Sequence, residues 1–252
     1  MRIEAQAIGR EGVRSIELYG GITSDLCVED YQRLLHDARS SNLAGIMLVS
    51  PTKFMEWSPL LTEDGMPPLV MAAQPGALRG VSSIMFDSTS LIDRALDYFV
   101  QRGRRRVAAI AVWSDSPDSH FWRYFAAAAE KRGLVSHPYW RQGAGPQWPD
   151  AANSTAQLLM HAEERPDALL IADDSLVEPA TAGLVAAGRG RISDLDVVAH
   201  CNFPYRPTAH VPVKFVGFDV RQYLTAFIDT LDLKRRGGKV PPDVSLPARY
   251  DD

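Results

Sequence analysis

The chain has 252 residues, 46% of them hydrophobic, and a formal net charge of −4, which is typical of a soluble globular protein with one large or two small α/β domains. The acidic balance argues against a general nucleic-acid surface, and no apolar run approaches the roughly 20 residues that span a bilayer. Two distant cysteines and an N-terminus without a visible secretory signal favour a reducing, cytoplasmic setting with neither a disulfide framework nor a metal site.

Strand and helix signals alternate along the chain. Short apolar or alternating runs predict strands at 13–19, 43–49, 69–73, 82–87, 107–112, 134–140, 168–172, 195–199 and 244–250. Apolar residues at helical spacing predict helices at 28–38, 56–63, 91–100, 121–132, 150–164, 176–187 and 221–235. A Gly/Pro loop is expected at 142–149, and a proline-rich loop follows Asn202.

The alternation predicts an α/β fold built on doubly wound parallel sheets. About nine strands are close to the limit for one twisted sheet, so two smaller lobes are expected. Because the sequence has no long linker, several short segments must join the lobes. We expect three crossovers, near Gly103, within 215–218 and within 237–240.

Polar side chains end several predicted strands, which is where ligands bind in open α/β sheets. Asp173 and Asp174 follow one strand and can accept hydrogen bonds from ligand hydroxyls, unless one of them only caps the next helix. We expect Asp173 to contact the ligand and Asp174 to support it. His200 and Asn202 are expected to line the same cleft. For Asp87, helix capping and ligand contact are equally compatible with the position.

Three further residues border the predicted site. Arg123 begins a helix after a polar loop, and its five fixed donors suit hydroxyls or a carboxylate; the alternative is a surface arginine. Trp148 could stack on the apolar face of a sugar or base, or anchor its loop at the surface. Cys201 is expected to be buried and inert.

The sequence offers no constellation for catalysis. It shows no nucleophile paired with a base and no metal-ligand spacing, and the glycines at 9–12 and 143–145 lack the pattern that cradles phosphates. We therefore predict a binding protein that is not an enzyme and uses no cofactor and no metal. An enzyme on an α/β fold is a remote alternative, because fold alone does not decide function.

The order of several segments resembles a known family. The segments are Asp87 with Ala95, RGRRRVAAI at 102–110, the serine-rich loop before Arg123, PDALLIADDSLVEPATAGLVAAG at 166–188, DLDVVAHCNFP at 194–204 and VSLPARY at 244–250. Over residues 43–252 the chain resembles the sensor core of the lactose-repressor (LacI/GalR) family of bacterial transcription regulators, a type I periplasmic-binding-protein fold. Nothing before Leu43 matches that family's helix-turn-helix or hinge helix.

The resemblance implies two lobes, 1–102 with 217–237 and 103–216 with 238–252, that close on a small polar effector. It places Phe218 at the cleft, although a core position is the alternative, and it sets Asp87 opposite Arg123 across the cleft. The implied effector is a sugar or sugar derivative, and the implied assembly is a homodimer. Operator DNA would be bound only through a domain absent from this chain, and no membrane is involved. A free-standing solute-binding protein for transport is the alternative, which the missing signal peptide disfavours.

The sequence also departs from the family pattern. Ala126 and Ala127 stand where the arginine loop usually continues to Gly-Phe, and Cys201 replaces a cleft acid. The pair Asp173–Asp174 stands in place of Asn-Asp. We therefore expect ligand chemistry that differs from that of the best-known members.

Overall fold

The computed structural model describes residues 2–12, 15–19, 29–40, 42–49, 53–73, 78–112, 119–145, 148, 150–241 and 243–251. Its α-helices are α1 (Arg2–Glu11), α2 (Glu29–Arg39), α3 (Pro59–Thr62), α4 (Ser88–Gln101), α5 (His120–Lys131), α6 (Asp150–His161), α7 (Val177–Ala187), α8 (Arg189–Ile192) and α9 (Val220–Arg235). Its strands are β1 (Ile46–Leu48), β2 (Leu69–Met71), β3 (Ser82–Asp87), β4 (Val107–Val112), β5 (Arg141–Ala144), β6 (Ala168–Ile171), β7 (Asp196–Phe203), β8 (Lys214–Asp219), β9 (Asp243–Pro247) and β10 (Arg249–Tyr250). Short 3₁₀ helices lie at Lys53–Trp57, Pro138–Trp140 and Asp174–Leu176. Across these residues we find no helix with the length and apolarity needed to cross a membrane.

The chain forms two compact units. Unit 1 comprises Met1–Phe86 and Val220–Leu246, and unit 2 comprises Asp87–Asp219 and Pro247–Asp252. The chain therefore passes from one unit to the other three times. The prediction of an α/β fold with two mainly parallel sheets is confirmed, with strand orders β1-β2-β3-β9 and β10-β8-β7-β6-β4-β5.

Unit 1 is a sheet with helices packed against it. The strands β1, β2 and β3 are parallel neighbours. The amphipathic helix α2 buries Tyr31, Leu34 and Leu35 in one apolar cluster with residues of β1 and β2. A second cluster joins Phe227 of α9 to Ile84 of β3. Burial on both sides explains why the runs that form β1 and β2 are continuously apolar.

Unit 2 holds the larger sheet, in which β5, β4, β6, β7 and β8 are parallel and β10 is antiparallel. Helices α6 and α7 share one core cluster with alternate residues of β7, namely Val197, Ala199, Cys201 and Phe203. Because side chains alternate across a strand, His200 and Asn202 project from the opposite face of the sheet. Helix α4 lies against β7 and β8.

Helix α4 belongs to unit 2, which corrects the predicted division at residues 102–103. Side chains of α5 and of the residue that follows it hold the helix there: Arg132 donates to Asp97 at 2.7 Å and pairs with Asp93 at 2.9 Å, and Tyr124 donates to Asp93 at 2.7 Å. The crossings lie at 86–87, 219–220 and 246–247, so neither 216–217 nor 237–238 is a boundary.

Several element predictions are also corrected. Helix α1 was not predicted, and residues 15–19 have no regular structure where a strand was expected, while 13–14 lie outside the described residues. Of the predicted strand 134–140, only Val135 pairs, in an isolated bridge with Arg106. Pro138 begins a 3₁₀ helix instead, and the strand β5 follows it. Residues 215–218, where a crossover is expected from the sequence, lie inside the strand β8. The strand β7 runs four residues beyond its predicted end at Ala199.

Candidate functional site

The parallel register of β6 and β7 gathers polar side chains at one edge of the unit 2 sheet. Ile171 is level with Ala199, so the residues that follow β6 lie beside the carboxyl end of β7. There the Asn202 amide nitrogen Nδ2 donates to Asp174 Oδ2 at 2.7 Å. The hydrogen bond occupies one oxygen of Asp174 and fixes the orientation of the Asn202 amide. The structure thus brings together the strand-end residues expected from the sequence at this edge.

Asp173 caps a helix with one of its two carboxylate oxygens. Its Oδ1 accepts hydrogen bonds from the backbone N–H of Ser175, at 3.0 Å, and from the Ser175 hydroxyl. Asp173 thereby caps the 3₁₀ helix that leads into α7. In the described part of the chain, no hydrogen-bond partner is seen for Asp173 Oδ2. One oxygen therefore fixes the loop, and the other can accept a further hydrogen bond.

His200 is a buried histidine without hydrogen bonds to the residues that the structure describes. The residue is only 9% exposed, and both Nδ1 and Nε2 lack partners there. Burial lowers the pKa of His200, and the nearby carboxylates of Asp174 and Asp173 oppose this effect without cancelling it. The imidazole is therefore neutral near pH 7 and presents one donor and one acceptor, neither of which bonds to a described residue.

Phe218 lies beside this histidine and is 4% exposed. Asn202 is level with Phe218 and His200 is level with Val216, so all four side chains occupy one face of the sheet. The rings of His200 and Phe218 have centroids 5.6 Å apart. Within unit 2, Phe218 is thus a packing residue beside the polar group, which agrees with the core alternative.

Asp87 caps a helix. It accepts the backbone N–H groups of Thr89 and Ser90 at 3.0 and 3.1 Å, and it also accepts the Thr89 hydroxyl. These bonds satisfy otherwise unpaired donors at the start of α4. The expectation that Asp87 faces Arg123 from another lobe is wrong as stated, because both residues belong to unit 2.

Arg123 and Trp148 are exposed and lie on other elements. Arg123 is in the first turn of α5, and the polar loop before it, at 113–118, lies outside the described residues. Trp148 is 71% exposed and precedes α6, with its backbone N–H bonded to the Gly145 carbonyl at 2.9 Å. Neither residue is among the partners of Asp173, Asp174, His200 or Asn202.

An arginine that the sequence did not single out lies near the same edge. Arg249 donates to Asp219 Oδ2 at 3.3 Å, and its guanidinium carbon lies 4.6 Å from the centre of the Phe203 ring. Asp219 directly follows Phe218, and Arg249 lies in the VSLPARY segment. Its place in that segment, which supports the family resemblance, was the only signal in the sequence that pointed to a position near the site for Arg249. The antiparallel pairing of β10 with β8, which brings it there, cannot be inferred from that segment.

Cys201 projects from the opposite face of β7 and is buried. Its thiol donates to the Tyr205 carbonyl at 3.6 Å, and burial, with a smaller contribution from Asp174, raises the pKa of Cys201 to about 11. A thiol with this pKa is almost wholly protonated at neutral pH and a poor nucleophile. Among the residues with described positions, no group of three or more His, Cys, Asp or Glu side chains could hold a metal ion.

Comparison with known proteins identifies relatives of the fold. A family model described as a periplasmic binding protein-like domain matches residues 96–249. A LacI-family regulator from Lactobacillus casei with bound glucose is 18% identical, with a TM-score of 0.73, and the match covers 100% of this chain and 92% of that one. A LacI-family regulatory protein from Chloroflexus aggregans is 19% identical, with a TM-score of 0.74 and coverage of 98% and 88%.

The lactose repressor bound to the anti-inducer ONPF is a further structural match. It is 14% identical, with a TM-score of 0.74, and the match covers 98% of this chain and 90% of that one. A comparison with curated protein sequences gives no match. The similarity predicted between this fold and the sensor core of LacI-type regulators is therefore confirmed.

Proposed function

This chain belongs to the periplasmic binding protein-like domain family, and from that premise we propose that it is the effector-binding sensor domain of a LacI/GalR-like transcription regulator. The observation that carries the proposal is the edge of the unit 2 sheet, where an Asp173 oxygen and both His200 ring nitrogens lack partners among the described residues. Buried polar groups are normally hydrogen-bonded, so the unpaired ring nitrogens of the buried His200 near the carboxyl ends of parallel strands favour a ligand site. The Asp173 oxygen is only partly buried and offers an additional acceptor there. The fold relatives are regulators, which agrees with a protein that is not an enzyme.

The proposed effector is a sugar or sugar derivative. The acceptors at this edge suit hydroxyl donors, and a neutral imidazole can both donate to and accept from a hydroxyl. A related LacI-family structure holds glucose, which supports the same class of ligand. In this proposal Asp173, His200 and Asn202 contact the effector directly, and Asp174 holds the Asn202 amide in place.

Arg123 and Trp148 remain proposed ligand contacts from other elements. Both are exposed, so their polar or aromatic groups are free to meet a ligand. Phe218 would act through its packing on His200, and Asp87 would contribute an oxygen beside its capping bonds.

The proposed mechanism is hinge closure. The chain passes three times between two compact units, which is the connectivity that allows one unit to rotate against the other. Switching requires that the effector bind one arrangement better than the other. We further propose a homodimer that reaches operator DNA through a domain outside this chain, and a regulator of transcription would work in the cytoplasm, where the DNA is.

Thermal-shift measurements with a panel of neutral sugars and polyols test the effector class. A ligand at 100 times its Kd stabilises the folded chain by about 2.7 kcal/mol, which is a clear rise in Tm. We expect Arg123→Ala to abolish the ligand-induced rise without changing the Tm of the free protein. Arg105→Ala is the control, because Arg105 is also an exposed arginine of unit 2.

Two outcomes would contradict the proposal. If no sugar or polyol raises Tm at millimolar concentration, the effector is not a sugar. If Arg123→Ala leaves the affinity unchanged, Arg123 does not contact the ligand.

Small-angle scattering tests the hinge, because closure on the ligand should reduce the radius of gyration.

A further inference from the structure

Among the residues that the structure describes, no cation pairs with the two carboxylates at the edge of the unit 2 sheet. Asp173 bonds to Ser175, and Asp174 bonds to Asn202. Both partners are uncharged. Over the described ranges, no lysine or arginine forms an ion pair with either aspartate. The edge therefore carries two negative charges on its own side chains.

Three cations, on β8, on β10 and in the segment between β7 and β8, are paired with other acids. Arg249 bonds to Asp219 at 3.3 Å. Lys214 and Arg206 both pair with Asp251, at 3.0 and 3.5 Å. These pairs offset one another locally, so none of the three cations is paired with Asp173 or Asp174. Arg123, the proposed ligand contact on α5, adds one positive charge against the two carboxylates, and the site stays negative on balance.

His200 cannot supply the missing positive charge near pH 7. It is buried, and its pKa lies below the ordinary value because burial outweighs the two carboxylates. Its unpaired ring nitrogens offer hydrogen bonds to a ligand without a charge. The three side chains together present hydrogen-bonding atoms and a net negative potential.

We infer that this site selects its effector by charge: it takes hydroxylated compounds that are neutral or carry an amine, and it excludes those that carry a carboxylate or a phosphate. The inference rests on the proposed function and narrows the class of effector. An anion placed against Asp173 and Asp174 meets like charges in a partly dehydrated setting, which is strongly unfavourable. A neutral sugar avoids this repulsion, and an ammonium group gains attraction.

Calorimetric titration of four probes that share one ring tests this selection. The probes are D-glucose, D-glucosamine, D-glucuronate and glucose 6-phosphate, at pH 7 and equal ionic strength. We expect glucosamine to bind at least as tightly as glucose, and each anion to bind about 100-fold more weakly or worse. Binding of either anion with the affinity of glucose would overturn the inference and leave the proposed sensor function intact.

Near-isosteric variants link the selection to the two carboxylates. Asp173→Asn and the double variant Asp173→Asn/Asp174→Asn should bind the anions at least tenfold more tightly than the wild type does. The single variant is the safer one, because the hydrogen bond between Asp174 and Asn202 stays intact. Asp229→Asn, at an exposed position of α9 in unit 1, is the control and should change none of the affinities. Unaltered anion binding in the single and double variants would refute the assignment.

Titration of the His200 C2 proton by NMR is independent of any sugar. We expect an apparent pKa below about 6.5 in the wild type, and a lower one in the double variant, because the two carboxylates favour the charged ring. A pKa that does not fall in the double variant would show that the carboxylates do not act on this ring, and would overturn the inference without reference to a ligand. If no neutral sugar binds, the proposed sugar effector is refuted, and the inference falls with it.

Discussion

Gly217→Ala should strongly destabilise unit 2, because the strands β7 and β8 meet there without room for a side chain. Gly217 is level with Cys201 in the parallel pair. A Cβ on Gly217 would lie 1.8 Å from the Cys201 carbonyl oxygen and 2.8 Å from its carbonyl carbon and its nitrogen. All three are backbone atoms, so no side-chain rotation can relieve the overlap. The two strands must separate, which strains the pairing on which His200, Asn202 and Phe218 are held.

We expect Gly217→Ala to lower the free energy of unfolding by about 3–5 kcal/mol. This exceeds the ~1–3 kcal/mol typical of overpacked cores, because the overlapping atoms belong to the backbone. A domain with a typical stability of about 5–15 kcal/mol would then be marginal. Gly190→Ala is the matched control, since Gly190 lies in α8 and a Cβ there meets nothing within 4 Å. The control should gain about 0.5–1 kcal/mol from helix propensity. Urea denaturation followed by circular dichroism measures both variants. Equal stability of Gly217→Ala and the wild type would refute the reasoning from the strand spacing.

Two further predictions concern titration and an ion-pair cluster. The pKa of His200 is lower in the folded chain than its unfolded value of about 6.5. As the pH falls below 6.5, the wild type should therefore lose up to about 1.4 kcal/mol of unfolding free energy per pH unit. The loss ends when the folded ring itself is protonated. The variant His200→Phe should lack this loss. Urea denaturation of both proteins at pH 7.5 and pH 5.5 measures it. The same loss in the variant and the wild type would contradict the burial of a neutral ring. Burial of Asp196 acts to raise its pKa, but hydrogen bonds from Arg104, at 2.6 Å, and from Arg102, at 3.2 Å, hold the pKa below its usual range. Asp196→Asn should therefore cost about 0.5–1 kcal/mol at pH 7, because solvent screens these ion pairs. The difference from the wild type should shrink as the pH falls below about 4, where Asp196 of the unfolded chain binds a proton before that of the folded chain does. A difference that is constant from pH 7 to pH 3 would argue against the ion pairs.

The parts of the fold predicted from sequence are those with strong periodicity. Continuous apolar runs predicted β4 and β6 almost to the residue, and the buried strand expected to end on Asp87 is β3. The helical spacing of Leu91, Ala95 and Phe99 predicted α4. The assignment of α4 to a unit failed because it depends on Asp93 and Asp97, which meet Arg132 only after folding. Gly103 has a φ of +74° and follows the end of α4. The glycine therefore signals the end of a helix and not a boundary between the two units.

The part of the candidate site that lies at the ends of strands was predictable from the sequence. Asp173 and Asn202 were found because polar residues follow buried strands, and the parallel register makes those ends neighbours. The capping role of Asp87 was one of two readings that the sequence left open, and the bonds to Thr89 and Ser90 show that it caps α4. The isolation of His200 was not predictable, because a missing hydrogen bond depends on every neighbour in space and leaves no pattern in the sequence.

The three crossings also constrain the order in which the protein can form during synthesis. Unit 1 needs α9 and β9, and unit 2 needs β10, which pairs with β8 and brings Arg249 to Asp219. Both units therefore wait for residues made after position 219. On the ribosome, neither can complete its sheet while the nascent chain is short, so the edge of β8 that pairs with β10 stays unpaired until residues 249–250 emerge.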